Sequence, residues 1–183
     1  MPEHVIAVVV GSLRRESFNR RLADALPALF PEGFELRQVR IDDLPLYNQD
    51  DDANPPESAL RLKREIREAS GVIFATPEYN RSISGVLKNA LDHASRPYGD
   101  SAWAGKPAGI VGVSVGQSGT ACAQQHLRPI LGYLDMPTLG QPEVYIQVKD
   151  DTFDADGSLG ESTRTFMQGW VNRYVDWVQR HAG

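Results

Sequence analysis

The chain has 183 residues, 41% of them hydrophobic and 23% charged, a balance that forms one ordinary hydrophobic core and argues against long disordered tracts. A net charge of −5 with a pI near 5.4 disfavours a general nucleic-acid binder, which gathers a basic surplus on one face. The single cysteine, Cys122, excludes an internal disulfide, and no apolar run approaches the ~20 residues of a membrane span. With no charged leader before the first apolar run, the expectation is a soluble cytoplasmic protein without nucleic-acid or membrane partners.

The first strand, Val5–Val10, is apolar throughout, as a parallel strand covered on both faces must be. A helix follows with Phe18, Leu22, Leu26 and Leu29 on one face, threatened near its end by Pro27. Phe34–Arg37 alternates and belongs nearer a sheet edge. Asn54 ahead of Pro55 and Glu57 is placed to cap a second helix carrying Ala59, Leu62, Ile66 and Ala69. Val72–Ala75 and Gly109–Val113 are two more buried central strands, separated by a helix with Leu87, Ala90, Leu91 and Ala94. A fourth helix carries Ala123, Leu127, Ile130, Leu131 and Leu134, with Pro129 expected to kink it, and Val144–Val148 is the second alternating strand. Ser158 with Glu161 matches a capping box for a last helix striped by Phe166, Trp170, Tyr174 and Trp177, flanked by Met167, Val171, Val175 and Val178. The sum is an α/β doubly wound domain over residues 1–183, with a five-stranded parallel sheet and helices on both faces.

In such sheets ligands settle beyond the carboxyl ends of the strands, where strand order reverses. After the first strand, Gly11 allows a tight turn, Ser12, Ser17 and Asn19 offer short polar side chains, Arg14 offers charge, and the following helix adds free N–H groups, which together make a phosphate cradle. Neither a P-loop nor a G-x-G-x-x-G fingerprint is present. After the third strand, Thr76-Pro77-Glu78-Tyr79-Asn80-Arg81 presents N–H groups, an amide and an aromatic ring where a planar heterocycle can lie. After the fourth, Ser114, Gly116 and Gly119 let a ligand approach the backbone closely.

Gly11-Ser12-Leu13-Arg14 with Ser17 and Asn19, followed by Pro77-Glu78-Tyr79-Asn80, resembles the NADPH-dependent FMN reductase family of quinone, azo-dye and chromate reductases. The resemblance extends to Gly85, Leu87, Lys88, Asn89 and Asp92, to the 114–119 loop, and to Phe153, Asp154, Asp156 and Gly157. It implies a flavodoxin-like fold with strand order 2-1-3-4-5 and bound FMN, with NADPH or NADH as electron donor. By the same resemblance Ser12, Arg14, Ser17 and Asn19 hold the phosphate. Pro77, Glu78, Tyr79 and Asn80 lie along the isoalloxazine and ribityl, while Ser114, Gly116 and Gly119 border the ring. Thr120 stands where relatives often have a second glycine, and Arg81 occupies a variable position that shapes the acceptor pocket.

The cofactor carries the hydride and electron chemistry, so no catalytic side chain is expected, and Glu78 is read as a backbone contributor rather than a general base. The expected activity is ping-pong transfer from NAD(P)H to quinones or similar small acceptors, such as azo compounds, chromate or free flavin. The alternative is a flavodoxin-type electron carrier without a nicotinamide site. Relatives look dimeric, so a homodimer or dimer of dimers is expected. The surface offered for it is Leu87, Leu91, Tyr98 and Trp103 with Leu127, Ile130, Leu131, Tyr133 and Leu134. Asp150, Asp151, Asp154 and Asp156 fail an EF-hand register, since Thr152 and Thr163 fall where carboxylates are needed. His4, His93, His126 and His181 have no ligand spacing, and no metal is expected.

Overall fold

A computed structural model describes residues 2–181. Five strands, β1 His4–Val10, β2 Phe34–Val39, β3 Gly71–Ala75, β4 Ala108–Ser114 and β5 Tyr145–Gln147, form one sheet in the order 2-1-3-4-5. Every neighbouring pair is parallel. The uninterrupted apolar runs of β1 and β3 lie in the middle, and the alternating β2 and β5 form the edges, because only an interior strand has a helix layer over both faces.

The helices are α1 Phe18–Ala25, α2 Glu57–Glu68, α3 Gly85–Ala94, α4 Ala121–Tyr133 and α5 Glu161–His181. Leu22 of α1 and Met167, Trp170, Tyr174 and Val178 of α5 pack on one side of the sheet. Leu62 and Ile66 of α2, Leu87 and Leu91 of α3 and Leu127 and Leu131 of α4 pack on the other. Pro27 converts the end of α1 into a 3-10 turn over Leu26–Leu29. Pro129 is contained within α4.

Four expectations are corrected. Asn54 does not cap α2: Pro56 occupies the N-cap position and gives no side-chain bond. Ser158 and Glu161 do not form a capping box, since α5 begins at Glu161 and the Ser158 hydroxyl donates to Asp156 at 2.6 Å. In the α5 stripe Trp170 and Tyr174 are buried as expected, together with the flanking Met167, Val171 and Val178, but Phe166 is 43% exposed. Finally, Leu87, Leu91, Trp103, Leu127 and Leu131 cover the chain's own sheet and are at most 1% exposed, whereas Tyr98 and Tyr133 are 86% and 81% exposed. Helical periodicity identifies an apolar face but not what covers it.

Candidate functional site

Strand order reverses between β1 and β3, which opens a crevice above their carboxyl ends. The loops after β1, β3 and β4 meet there and are tied to one another. The Gly11 amide donates to the Ala75 carbonyl at 2.9 Å, and the Gly11 carbonyl accepts from the Ser84 hydroxyl at 2.6 Å. Ser84 is also the N-cap of α3 and accepts from the Leu87 amide at 3.3 Å. A Cβ on Gly11 would stand 3.0 Å from Pro77 Cδ, so the first two loops touch.

Ser17 is the N-cap of α1 and accepts from the Arg20 amide at 3.2 Å. This leaves the earlier N–H groups of the first turn without a helical partner. The side chains of Ser12 and Ser17 are buried beneath the loop, while Arg14 is exposed. The Arg14 guanidinium donates to the Glu16 carbonyl at 2.5 Å and lies 5.4 Å from the Phe18 ring centroid. Asn19 has a different occupation: its amide donates to the Val113 carbonyl and accepts from the Val113 amide, joining α1 to β4.

In the second loop the Glu78 carboxylate is committed on both oxygens. It accepts from the Ser118 hydroxyl at 3.0 Å and from the Ala123 amide, in the first turn of α4, at 3.1 Å. A carboxylate there compensates the positive end of the helix dipole. Next comes a two-residue hairpin, with Tyr79 and Ser82 exchanging backbone bonds of 3.0 Å in each direction and Asn80 and Arg81 at φ 50° and 66° between them. Tyr79 is half exposed.

In the third loop Ser114 accepts from the Gly116 amide at 3.1 Å. Gly119, at φ +54°, turns so close to β5 that a Cβ would lie 2.7 Å from the Tyr145 carbonyl carbon. Thr120 takes φ 86°, a conformation that favours glycine, and its buried side chain fills the space left by Gly112, where a Cβ would approach Thr120 Oγ1 to 1.9 Å. Its hydroxyl accepts from Gln124 Nε2 at 3.0 Å, which explains how threonine is held in that conformation.

One cleft of about 180 Å³ unites Ser12, Arg14, Ser17, Asn19, Pro77, Glu78, Tyr79 and Ser114. Phe18, Val113 and Val115 complete its wall and were not singled out from the sequence, since each reads there as an ordinary apolar helix or strand residue. Asn80, Gly116 and Gly119 do not line it. Three larger grooves lie elsewhere, of about 540 Å³ at the start of α5, about 510 Å³ beyond β1 and β2 and about 440 Å³ between α1 and the start of α5. The smaller cleft is the better candidate, because among these grooves of the described residues it is the one that combines two buried serines, a helix N-terminus and a guanidinium. Among the described residues no group of three or more His, Cys, Asp or Glu side chains is placed to hold a metal.

The donor set suits a phosphate monoester, with neutral hydroxyl and amide donors below and one cation at the mouth. The cleft is smaller than a usual cofactor pocket. The rim of the cleft carries Tyr79, which is half exposed, and Val115, which is 70% exposed.

The family described as NADPH-dependent FMN reductase matches residues 5–151. The 2-hydroxy-1,4-benzoquinone reductase of a Burkholderia species is 53% identical over 175 residues, which span 95% of this chain and 96% of the relative. A quinone reductase of Pseudomonas putida is 50% identical over 175 residues, 95% of this chain and 94% of the relative. Among solved structures, FerB, a flavoenzyme NAD(P)H:(acceptor) oxidoreductase from Paracoccus denitrificans, superposes with a TM-score of 0.92 at 45% identity, covering 97% of this chain and 98% of that one.

Proposed function

The chain belongs to the NADPH-dependent FMN reductase family, and from that premise we propose that the three loops hold FMN and that the protein transfers electrons from NADH or NADPH to quinones. The observation that carries the assignment is the pair of buried serines, Ser12 and Ser17, at the start of α1 with Arg14 above them. FMN, when bound, supplies the hydride and electron chemistry. Everything else is the work of this chain.

In this reading the hydroxyls of Ser12 and Ser17 and the free N–H groups of the first turn of α1 donate to the phosphate. Arg14 turns from the Glu16 carbonyl to close over it. Asn19 is a positioning residue, since its amide is spent on Val113. Pro77, Glu78, Tyr79 and Asn80 would lie along the isoalloxazine and ribityl, and Ser114, Gly116 and Gly119 would border the ring. Backbone donors there stabilise charge that develops on reduction without reorganising. Glu78 holds its loop to α4 instead of exchanging protons.

One site would serve the nicotinamide nucleotide and the acceptor in turn, so turnover is ping-pong. The small acceptor is a quinone in the first instance, following the activities named for the relatives from Burkholderia and Pseudomonas putida; azo compounds, chromate and free flavin can also receive electrons from an open ring. The quinone reductases named above support this reading over that of a flavodoxin-type electron carrier. Residues 1–183 act as one FMN-binding unit, in the cytoplasm. They self-associate as a homodimer or a dimer of dimers through the exposed aromatic rings of Tyr98 and Tyr133. No helix is long and apolar enough to cross a membrane among the described residues.

The test is the visible spectrum of the purified protein together with steady-state NAD(P)H oxidation by 1,4-benzoquinone. A flavin spectrum with parallel double-reciprocal lines is expected. A colourless protein that gains no activity on adding FMN would defeat the assignment. Sedimentation at micromolar concentration tests the assembly, with a dimer or tetramer expected.

A further inference from the structure

The hairpin at the mouth of the cleft is an unusual place for an arginine. Its two central residues are both left-handed, Asn80 at φ 50° and Arg81 at φ 66°. Asparagine tolerates that region, but the second position of such a turn is ordinarily glycine. Arg81 holds the strained conformation nonetheless, and the strain is of the kind that accumulates where a side chain must be aimed.

The hairpin is firmly seated. Glu78, just before it, is bonded to Ser118 and to the first turn of α4, and Ser82, at its far end, lies 3.0 Å from His126 Nδ1, also on α4. The side chain it carries is free. The Arg81 side chain is 77% exposed, and the one carboxylate within 4 Å of it among the described residues is Glu78, at 3.9 Å and already engaged by two shorter bonds. The guanidinium thus stands on the rim beside Glu78 and Tyr79, which line the cleft, with donors in a planar fork and no committed partner.

We propose that Arg81 is a specificity residue that favours acceptors bearing an anionic oxygen group beside the reducible ring, such as ionised hydroxyquinones and quinone sulfonates. This rests on the reading of the cleft as the flavin site and goes beyond it by naming the acceptor class. A planar acceptor stacked over the ring brings its edge to the hairpin, where the guanidinium fork matches a pair of oxygens. The same fork could in principle meet a phosphate of the nicotinamide nucleotide. We assign it to the acceptor because it is carried by the exposed hairpin after β3, whereas the phosphate cradle is built by the separate loop after β1.

The test compares the holoenzyme with Arg81→Gln and Arg81→Lys, using 1,4-naphthoquinone and its 2-sulfonate as acceptors. The readout is the ratio of kcat/KM for the sulfonate to kcat/KM for the parent quinone, which cancels effects common to both. The ratio is expected to fall about fivefold in Arg81→Gln, the size of a favourable but solvent-exposed charge contact, and to be only partly retained in Arg81→Lys, which keeps the charge but not the fork. In the wild type it should also decline between about 0.02 and 0.3 M salt, and in Arg81→Gln that decline should flatten. A ratio unchanged in Arg81→Gln overturns the proposal, as does a loss carried by the KM for NADPH. A wild type that holds no FMN, or reduces neither quinone, defeats the underlying functional reading and the proposal with it.

Discussion

The side-chain amide of Asn19 and the peptide of Val113 close a ring of two hydrogen bonds, Nδ2 to the carbonyl at 2.9 Å and the amide to Oδ1 at 3.0 Å. This joins the first turn of α1 to a central strand 94 positions away, next to a cleft that both elements line. Asn19→Ala strands two buried backbone groups, at about 1–3 kcal/mol apiece if unsatisfied. We expect urea unfolding of the apoprotein to show a loss of about 2–3 kcal/mol, because water recovers part of the bonding. FMN affinity should fall along with stability. Weaker FMN binding without any loss of stability would place Asn19 directly on the ligand instead.

Arg14 offers the complementary case, an exposed cation whose present bond is to the neighbouring Glu16 carbonyl. Its contacts are with the neighbouring Glu16 carbonyl and the Phe18 ring, both at the surface end of α1, so Arg14→Ala should move the unfolding midpoint of the apoprotein only slightly. FMN binding should weaken on the order of tenfold to a hundredfold, the worth of a charged hydrogen bond to phosphate, about 1.5–3 kcal/mol. Titration of apoprotein with FMN measures it, and an unchanged dissociation constant removes Arg14 from the phosphate cradle.

Glu78 is built in through α4, with one oxygen on the Ala123 amide and the other on Ser118. Glu78→Ala should cost about 1–2 kcal/mol of stability, as losing a helix cap does, and should raise the KM for quinone as the adjoining hairpin loosens. Glu78→Gln keeps one acceptor oxygen and should recover most of both losses. If glutamine proved as inactive as alanine, proton transfer by the carboxylate would be the better account.

The parallel sheet and its central strands were legible because a strand covered on both faces must be apolar at every position, as Val5–Val10 and Val72–Ala75 are. The cleft was legible for a related reason: polar, glycine- and serine-rich loops directly after such strands have nowhere to go but the crevice. What could not be read was set by tertiary partners. Ser158 and Glu161 have capping-box spacing, but Asp154 and Asp156 hold the serine in a turn. Leu131 has the periodicity of an interface residue and is taken up by its own sheet. The role of Gly119 depends on the approach of Tyr145, and the hairpin at Asn80 and Arg81 lacks the glycine that would have announced it.

Away from the cleft, the Asp100 carboxylate accepts from Lys63 Nζ at 2.7 Å and also pairs with Arg67. The Lys63 hydrogen bond holds the Asp100 carboxyl below its usual range; burial, the next-largest influence, opposes it, and the Lys63 and Arg67 charges add smaller pulls in the same direction as the hydrogen bond. A carboxyl depressed in the folded state adds stability above its unfolded pKa of about 3.9, and that stability is lost as pH falls through the lower folded value. Lys63 is only 5% exposed and Asp100 55%, so Asp100→Asn leaves a buried ammonium with the Arg96 carbonyl as its remaining bonded partner. We expect a loss of about 1–2 kcal/mol at pH 7, less than for a fully buried pair because Asp100 is largely solvated. The gap between wild type and variant should close below about pH 4 in urea melts. A gap independent of pH would rule out the ion pair as its source.

Gly112 and Thr120 test how the third loop came to accept a threonine in a left-handed conformation. A Cβ at position 112 would lie 1.9 Å from Thr120 Oγ1 and 2.8 Å from the Thr76 carbonyl oxygen, and neither the buried threonine nor the strand can move freely. Gly112→Ala should therefore destabilise the protein by about 2–3 kcal/mol, in the upper range for overpacking. Thr120→Gly relieves strain of roughly 1 kcal/mol, but it opens a cavity and removes one acceptor of Gln124, which keeps the Val144 carbonyl at 2.6 Å. The net change should be small. In the double variant the new methyl group enters the space that the threonine vacated, so the two effects should not add. We expect a coupling of about 1–2 kcal/mol in favour of the pair, with the Thr76 carbonyl preventing complete rescue. Simple additivity in a double-mutant cycle would mean that the contact with Thr76, and not the one with Thr120, is what excludes a side chain at position 112.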